Sequence, residues 1–197
     1  MPSTNIDLSL EQRLQETGAL LEGHFQLSSG LHSNRYVQCA RMLQYPEHAS
    51  GACRELASRI SQPVDVVVGP ALGGVIVSYE IARFLGVRAL FTERHDGRMK
   101  LRRGFAMIPG ERVLVVEDVV TTGLSAREAA EAVRAQGGEV IAFASLVDRS
   151  AGKADFGLPF YALMALEFTA HEPEQCPGCA AGLPIVKPGS RNANAST

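Results

Sequence analysis

Short apolar runs alternate along this chain with stretches of helical period. Val64–Val68, Val87–Phe91, Val113–Val116 and Val140–Val147 are brief and rich in β-branched residues, which predicts buried strands. Between them, Pro46 opens a stretch in which Ala49, Ala52, Cys53, Leu56 and Ile60 recur three or four apart. A helix over about Val75–Phe84 stops at Gly86, and Ala126, Ala129, Ala130 and Val133 mark another that ends by Gly137. Two capping-box patterns, Ser9-Leu10-Glu11-Gln12 and Ser125-Ala126-Arg127-Glu128, predict helix starts. The first would open a helix running through Leu10, Leu14 and Leu21. Strands alternating with helices predict an α/β fold, a mostly parallel twisted sheet flanked by helices. With no repeat and no linker, residues 1–191 read as one domain. The segment after Pro173 reads as loop and residues 192–197 as a disordered tail.

Composition narrows the partners. The chain has 197 residues, 20% charged, with a formal net charge of −2, so neither nucleic acid nor an anionic membrane is expected as a general partner. Residues 1–10 lack a signal-peptide core and no run approaches a membrane span, which predicts a cytoplasmic protein. Cys176-Pro177-Gly178-Cys179 is a single C-x-x-C. It reads first as a turn with unused thiols. A zinc or disulfide staple, or a four-cysteine zinc site shared between two subunits, stays open.

Candidate chemistry concentrates in Val113–Ser125. A strand ends at Glu117-Asp118, and Val119-Val120-Thr121-Thr122-Gly123-Leu124-Ser125 leads into a helix. Ligands of parallel sheets sit beyond the strands' carboxyl ends. Neighbouring carboxylates accept hydrogen bonds from the vicinal hydroxyls of a ribose. Threonine hydroxyls, backbone amides, a glycine free to take positive φ and a helix N-terminus suit a phosphate.

A second concentration, Glu93–Phe105, carries Arg94, Arg98, Lys100, Arg102 and Arg103 with Gly97 and Gly104. It is too long and polar for a tight connection, so it reads either as a solvated excursion or as a cationic flap closing over a diphosphate.

In the order strand, acid pair, hydroxyl loop and capped helix, Val113–Ser125 resembles the type I phosphoribosyltransferases. Thr-Glu-Arg-His-Asp-Gly-Arg-Met-Lys-Leu-Arg-Arg-Gly-Phe at 92–105 looks like the flexible catalytic loop of the orotate phosphoribosyltransferases among them. His24–Tyr36 resembles the hood over orotate, and Val147-Asp148-Arg149 the position whose arginine pairs with the orotate carboxylate.

The resemblance implies a type I fold with a small N-terminal hood at about 20–45. It implies transfer of ribosyl phosphate from 5-phosphoribosyl 1-diphosphate (PRPP) to orotate. Glu117, Asp118, Val119, Val120, Thr121, Thr122, Gly123, Leu124 and Ser125 would bind PRPP together with Arg94, His95, Arg98 and Lys100. Thr121, Tyr36 and Arg149 would bind orotate, and Glu117, Asp118, Arg94, Arg98 and Lys100 would carry catalysis. Mg²⁺ would arrive on PRPP with no direct protein ligand, and the active unit would be a homodimer whose subunits share each site. Two departures stand out: some family members place lysines where this chain has Ser28 and Gly73. A purine-type phosphoribosyltransferase and a PRPP-sensing regulator are the alternatives.

Overall fold

The computed structural model describes residues 8–27 and 29–188. Its main sheet has six strands in the order β5-β4-β3-β6-β7-β8. These are β3 (Val66–Pro70), β4 (Arg88–His95), β5 (Arg98–Leu101), β6 (Arg112–Val120), β7 (Glu139–Asp148) and β8 (Phe160–Ala165). All neighbouring pairs are parallel except β4 with β5. A smaller antiparallel sheet joins β1 (Leu20–Gln26), β2 (His32–Val37) and β9 (Ala170–His171) in the order β1-β2-β9. The helices are α1 (Leu10–Glu16), α2 (Ala40–Leu43), α3 (Pro46–Ser58), α4 (Gly73–Leu85), α5 (Leu124–Arg134) and α6 (Pro177–Ala180).

Side-chain alternation along β6 builds the two halves of the core. Leu114 and Val116 pack with Leu56, Ile81 and Leu146 on the face covered by α3 and α4. Val113 and Val115 pack with Ala126, Ala129, Ala130 and Val133 of α5. Each fully buried Leu or Val contributes on the order of 2 kcal/mol. The sheet therefore holds β6 rigidly up to its functional end.

Several elements differ from the sequence expectations. The helix opening at Ser9 has its capping box, Ser9 Oγ accepting from Gln12 N and Gln12 Oε1 from Ser9 N. It ends at Glu16 rather than continuing to Leu21, because Gly18 turns the chain at φ 61° into β1. No capping box forms at Ser125: Gly123, at φ 73°, is the N-cap of α5, and Glu128 instead binds Arg94. The strand predicted at Val113–Val116 runs on to Val120, so the acid pair lies inside it. Glu93–Phe105 is largely a β-hairpin rather than an irregular excursion, since Asp96 and Gly97, at φ 53° and 77°, make a tight turn and Met99 and Leu101 alternate with Arg98 and Lys100. β8 was not anticipated, and the segment after Pro173 is not all loop: it carries a 3₁₀ turn (Pro173–Gln175) and α6.

Candidate active site

Strand order changes direction between β3 and β6: β4 lies on one side of that pair, β7 on the other. Such a switch point leaves a crevice beyond the strand ends. Two connections flank it here, the β3–α4 junction at Gly69–Gly74 and the turn Thr121–Gly123 after β6. The first presses against the second strand's acid: a methyl group on Gly73 would overlap the Asp118 carboxylate, and one on Gly69 would overlap the Gly74 carbonyl. Glycine is required at both positions by this approach.

Beside the crevice lies a cavity of about 690 Å³. Asp118, Val119, Thr121 and Thr122 form one wall, Tyr36 and Arg149 another, and Gln26, Leu27 and Leu31 a third. Asp118, Thr121 and Thr122, expected at the ribose phosphate, thus share one space with Tyr36 and Arg149, expected at orotate. The turn after β6 is braced from behind. Thr122 Oγ1 accepts from Leu124 N at 3.3 Å, while Arg127 donates to the carbonyls of Thr122 and Asp155, each at 2.7 Å. Arg127 also stacks over Phe156, whose ring leaves no room for a side chain on Gly123.

The two acids are not equivalent. Glu117 has the strand parity of Val113 and Val115, and Asp118 that of Leu114 and Val116, which sends them to opposite faces. Asp118 faces the cavity. Glu117 is only 8% exposed and its Oε1 has no hydrogen-bond partner. Burial, seconded by the neighbouring Asp118 charge, pushes the Glu117 carboxyl up to about 8. Burial also raises Asp118, opposed by backbone N–H donors at Val119 and Asp118 itself.

Arg149 follows β7, its backbone N–H held by the Val120 carbonyl at 2.8 Å. Its guanidinium lies 4.9 Å from the Phe168 ring centre and 5.8 Å from that of Tyr36. Aromatic stacking fixes the plane of a fork suited to a carboxylate. Desolvation lowers the Arg149 pKa, opposed by Tyr36, yet an arginine stays charged.

The hairpin cations stand elsewhere. Among the described residues, none of Arg94, His95, Arg98 and Lys100 lines the cavity. Arg94 is bound to Glu128 and to the Gly97 carbonyl, Arg103 to Glu93, and Lys100 lies 3.5 Å from Asp96. Glu117, Val120, Gly123, Leu124 and Ser125 also lie outside its lining. The cavity instead takes its further cations from Lys153 and Lys187, which the sequence reading did not assign. Lys153 had a local signal, four residues past Arg149 in the loop after β7; Lys187 is brought in only by long-range folding. Ser28 and residues 189–197, including the predicted tail, lie outside the described residues.

Comparison with known proteins agrees with this geometry. Residues 44–171 match the phosphoribosyl transferase domain family. An orotate phosphoribosyltransferase of Pelotomaculum thermopropionicum is 59% identical over 178 residues, 90% of this chain and 94% of that protein. The crystal structure of orotate phosphoribosyltransferase from Aeropyrum pernix superposes with a TM-score of 0.67 at 30% identity, covering 80% of this chain and 93% of that one. The Mycobacterium tuberculosis H37Rv orotate phosphoribosyltransferase in complex with PRPP superposes at 0.56 with 31% identity, covering 66% of this chain and 81% of that one.

Proposed function

The chain belongs to the phosphoribosyltransferase family and, within it, to the orotate phosphoribosyltransferases; from that premise we propose that the β3–β6 crevice and its cavity hold both substrates at once. The enzyme joins orotate to PRPP, giving orotidine 5′-phosphate and diphosphate in pyrimidine nucleotide synthesis. The observation carrying the residue roles is that Asp118, Thr121, Thr122, Tyr36 and Arg149 line one cavity.

In our reading, Thr121, Thr122 and the backbone of Gly123, Leu124 and Ser125 grip the 5′-phosphate at the N-terminus of α5. Val119 and Val120 carry the strand between acid pair and phosphate turn. Asp118 accepts hydrogen bonds from the ribose hydroxyls. Glu117, behind it and held protonated by desolvation, gives up its proton as positive charge grows at the anomeric carbon. Arg149 takes the orotate carboxylate in two parallel bonds, with Tyr36 beside the ring. The bond from the anomeric carbon to diphosphate breaks as that from orotate N1 forms, the N1 proton passing to the departing diphosphate, and no covalent nucleophile is needed.

Mg²⁺ would enter on PRPP and neutralise diphosphate charge. The cavity wall fits such a hard ion, since Asp118, Thr121 and Thr122 offer oxygen. The leaving diphosphate also needs cations, and we assign them to Arg94, His95, Arg98 and Lys100 of a second subunit. Their standing outside the cavity of their own chain supports a homodimer with shared sites. Four free thiols suit a cytoplasmic enzyme, and residues 1–191 act as one catalytic domain. No helix among the described residues is long and apolar enough to cross a membrane.

A panel of orotate, uracil, hypoxanthine, xanthine and adenine with PRPP and Mg²⁺ tests the base. Orotate should be consumed far faster than the others, and Arg149→Ala should raise its KM selectively. Preferential use of a purine would favour the purine-type reading.

A further inference from the structure

Away from the transfer site, His24 of β1, His32 of β2, and Cys176 and Cys179 at the two ends of one α6 turn bring their ligand atoms within 4.8 Å of one another. His24 Nε2 lies 3.2 Å from His32 Nδ1, 3.4 Å from Cys176 Sγ and 3.7 Å from Cys179 Sγ; His32 Nδ1 lies 3.2 Å from Cys179 Sγ. A tetrahedral zinc with bonds of ~2.3 Å to sulfur and ~2.05 Å to nitrogen sets its ligands about 3.3 Å apart for N···N and about 3.6 Å for N···S. The four separations match that pattern.

The surroundings match as well. His24 Nδ1 lies 2.9 Å from the Leu183 carbonyl, which can only accept, so Nδ1 carries the proton and Nε2 turns its lone pair to the cluster. This is the outer-shell contact that fixes a metal-binding histidine's tautomer. Gly178 lets the C-x-x-C turn reach that ring: a Cβ there would stand 2.9 Å from His24 Cγ and Cδ2. His24, His32 and Cys176 are buried while Cys179 is exposed, and all four cysteines of the chain are free.

The chain around the two cysteines has little apolar packing to hold it. Among residues 172–188 only Cys176 is buried, and Leu183, Ile185 and Val186 are each about half exposed. A segment with no apolar core is where a metal staple adds most. It lies against β1 through Val186 N to the His24 carbonyl and Gln26 N to the Val186 carbonyl, both 2.8 Å. One residue on, Lys187 enters the wall of the substrate cavity.

We propose that His24 Nε2, His32 Nδ1, Cys176 Sγ and Cys179 Sγ bind one Zn²⁺ in a closed, structural Cys₂His₂ site that clamps the C-terminal segment to the β1–β2 hairpin. Both thiols bind as thiolates, so loading releases two protons to solvent. With four protein ligands no position stays open for substrate or water, which separates this site from the transfer reaction. The donor set, two soft sulfurs and two imidazoles, selects zinc over the hard Mg²⁺ that PRPP brings.

The test uses the full chain, purified reduced from zinc-supplemented cells, with metal content read by mass spectrometry. About one zinc per chain is expected for the wild type and at least a roughly tenfold lower content for Cys176→Ser/Cys179→Ser and for His32→Gln. Wild-type protein stripped by chelator and reloaded with Co²⁺ should show thiolate-to-cobalt charge-transfer bands and the intense visible bands of tetrahedral cobalt; the double cysteine variant should not. Gly178→Ala, which keeps all four ligands, should weaken zinc binding against a competing chelator. The proposal is overturned if reduced wild-type protein, its thiols shown free by titration and its fold by circular dichroism, takes up no zinc from a competing chelator, or if its cobalt form is octahedral. Neither readout depends on orotate, so a failure here is distinct from a failure of the transferase assignment.

Discussion

Glu117→Gln should remove the pH dependence that this one carboxyl imposes on stability. In the folded chain Glu117 is pushed up to about 8, from an ordinary 4.5, by burial and the Asp118 charge. Between those values the folded state holds a proton that the unfolded state has released, so stability falls as pH rises. Its contribution is fully present below about pH 4.5 and lost as pH climbs through 8. Each pH unit in that window costs the fold ~1.4 kcal/mol, which comes to about 3 kcal/mol at pH 7 and about 4 kcal/mol at pH 8. Glutamine keeps the shape and cannot ionise. Its buried amide costs on the order of 1 kcal/mol if unpaired, so the variant should equal or slightly trail the wild type at pH 5 and exceed it by ~3 kcal/mol at pH 8. Urea denaturation followed by circular dichroism, at one protein concentration and in steps from pH 5 to 8, measures the difference. Parallel stability curves for the two proteins would refute a protonated Glu117.

The substrate complex carries further expectations. If PRPP binding ionises Glu117, calorimetry near pH 7 in buffers of different ionisation enthalpy should detect proton release that Glu117→Gln abolishes. Gly73→Ala should displace the Asp118 carboxylate and lower kcat/KM by roughly 100-fold while the protein stays folded, a split that activity and thermal melting read together. Arg149→Lys keeps the charge and loses the fork, so KM for orotate should rise about tenfold or more with KM for PRPP little changed. Mixing Asp118→Asn protein with Arg98→Ala/Lys100→Ala protein should regain activity through hybrid dimers; no gain despite proven subunit exchange would sink the shared site.

The parts legible in the sequence were those whose physics is local. Val113–Val116 is apolar without interruption because β6 is buried on both faces, and Thr121–Gly123 shows itself as a turn by its hydroxyls and its glycine. The hairpin at Arg88–Leu101 was hidden by its own charge: Arg98 and Lys100 read as a flap, although an edge strand also presents cations outward. β8 was missed because Phe160–Ala165 is a half-buried edge strand without polar alternation. Glu117 and Asp118 were read as a pair beyond the strand; β6 runs four residues further, still paired with β7, and puts them inside it, on opposite faces. The convergence of His24 and His32 with Cys176 and Cys179 had no local signal, since the partners lie some 150 residues apart and meet only when the C-terminal segment returns to β1.

The most direct test of the central claim is the fall in orotate absorbance when the folded protein meets orotate, PRPP and Mg²⁺, with diphosphate measured alongside. Orotate should disappear with one diphosphate formed for each molecule consumed, and Asp118→Asn should slow both together. Folded protein that leaves orotate untouched, or releases diphosphate without consuming it, would contradict a cavity that holds the two substrates for direct transfer.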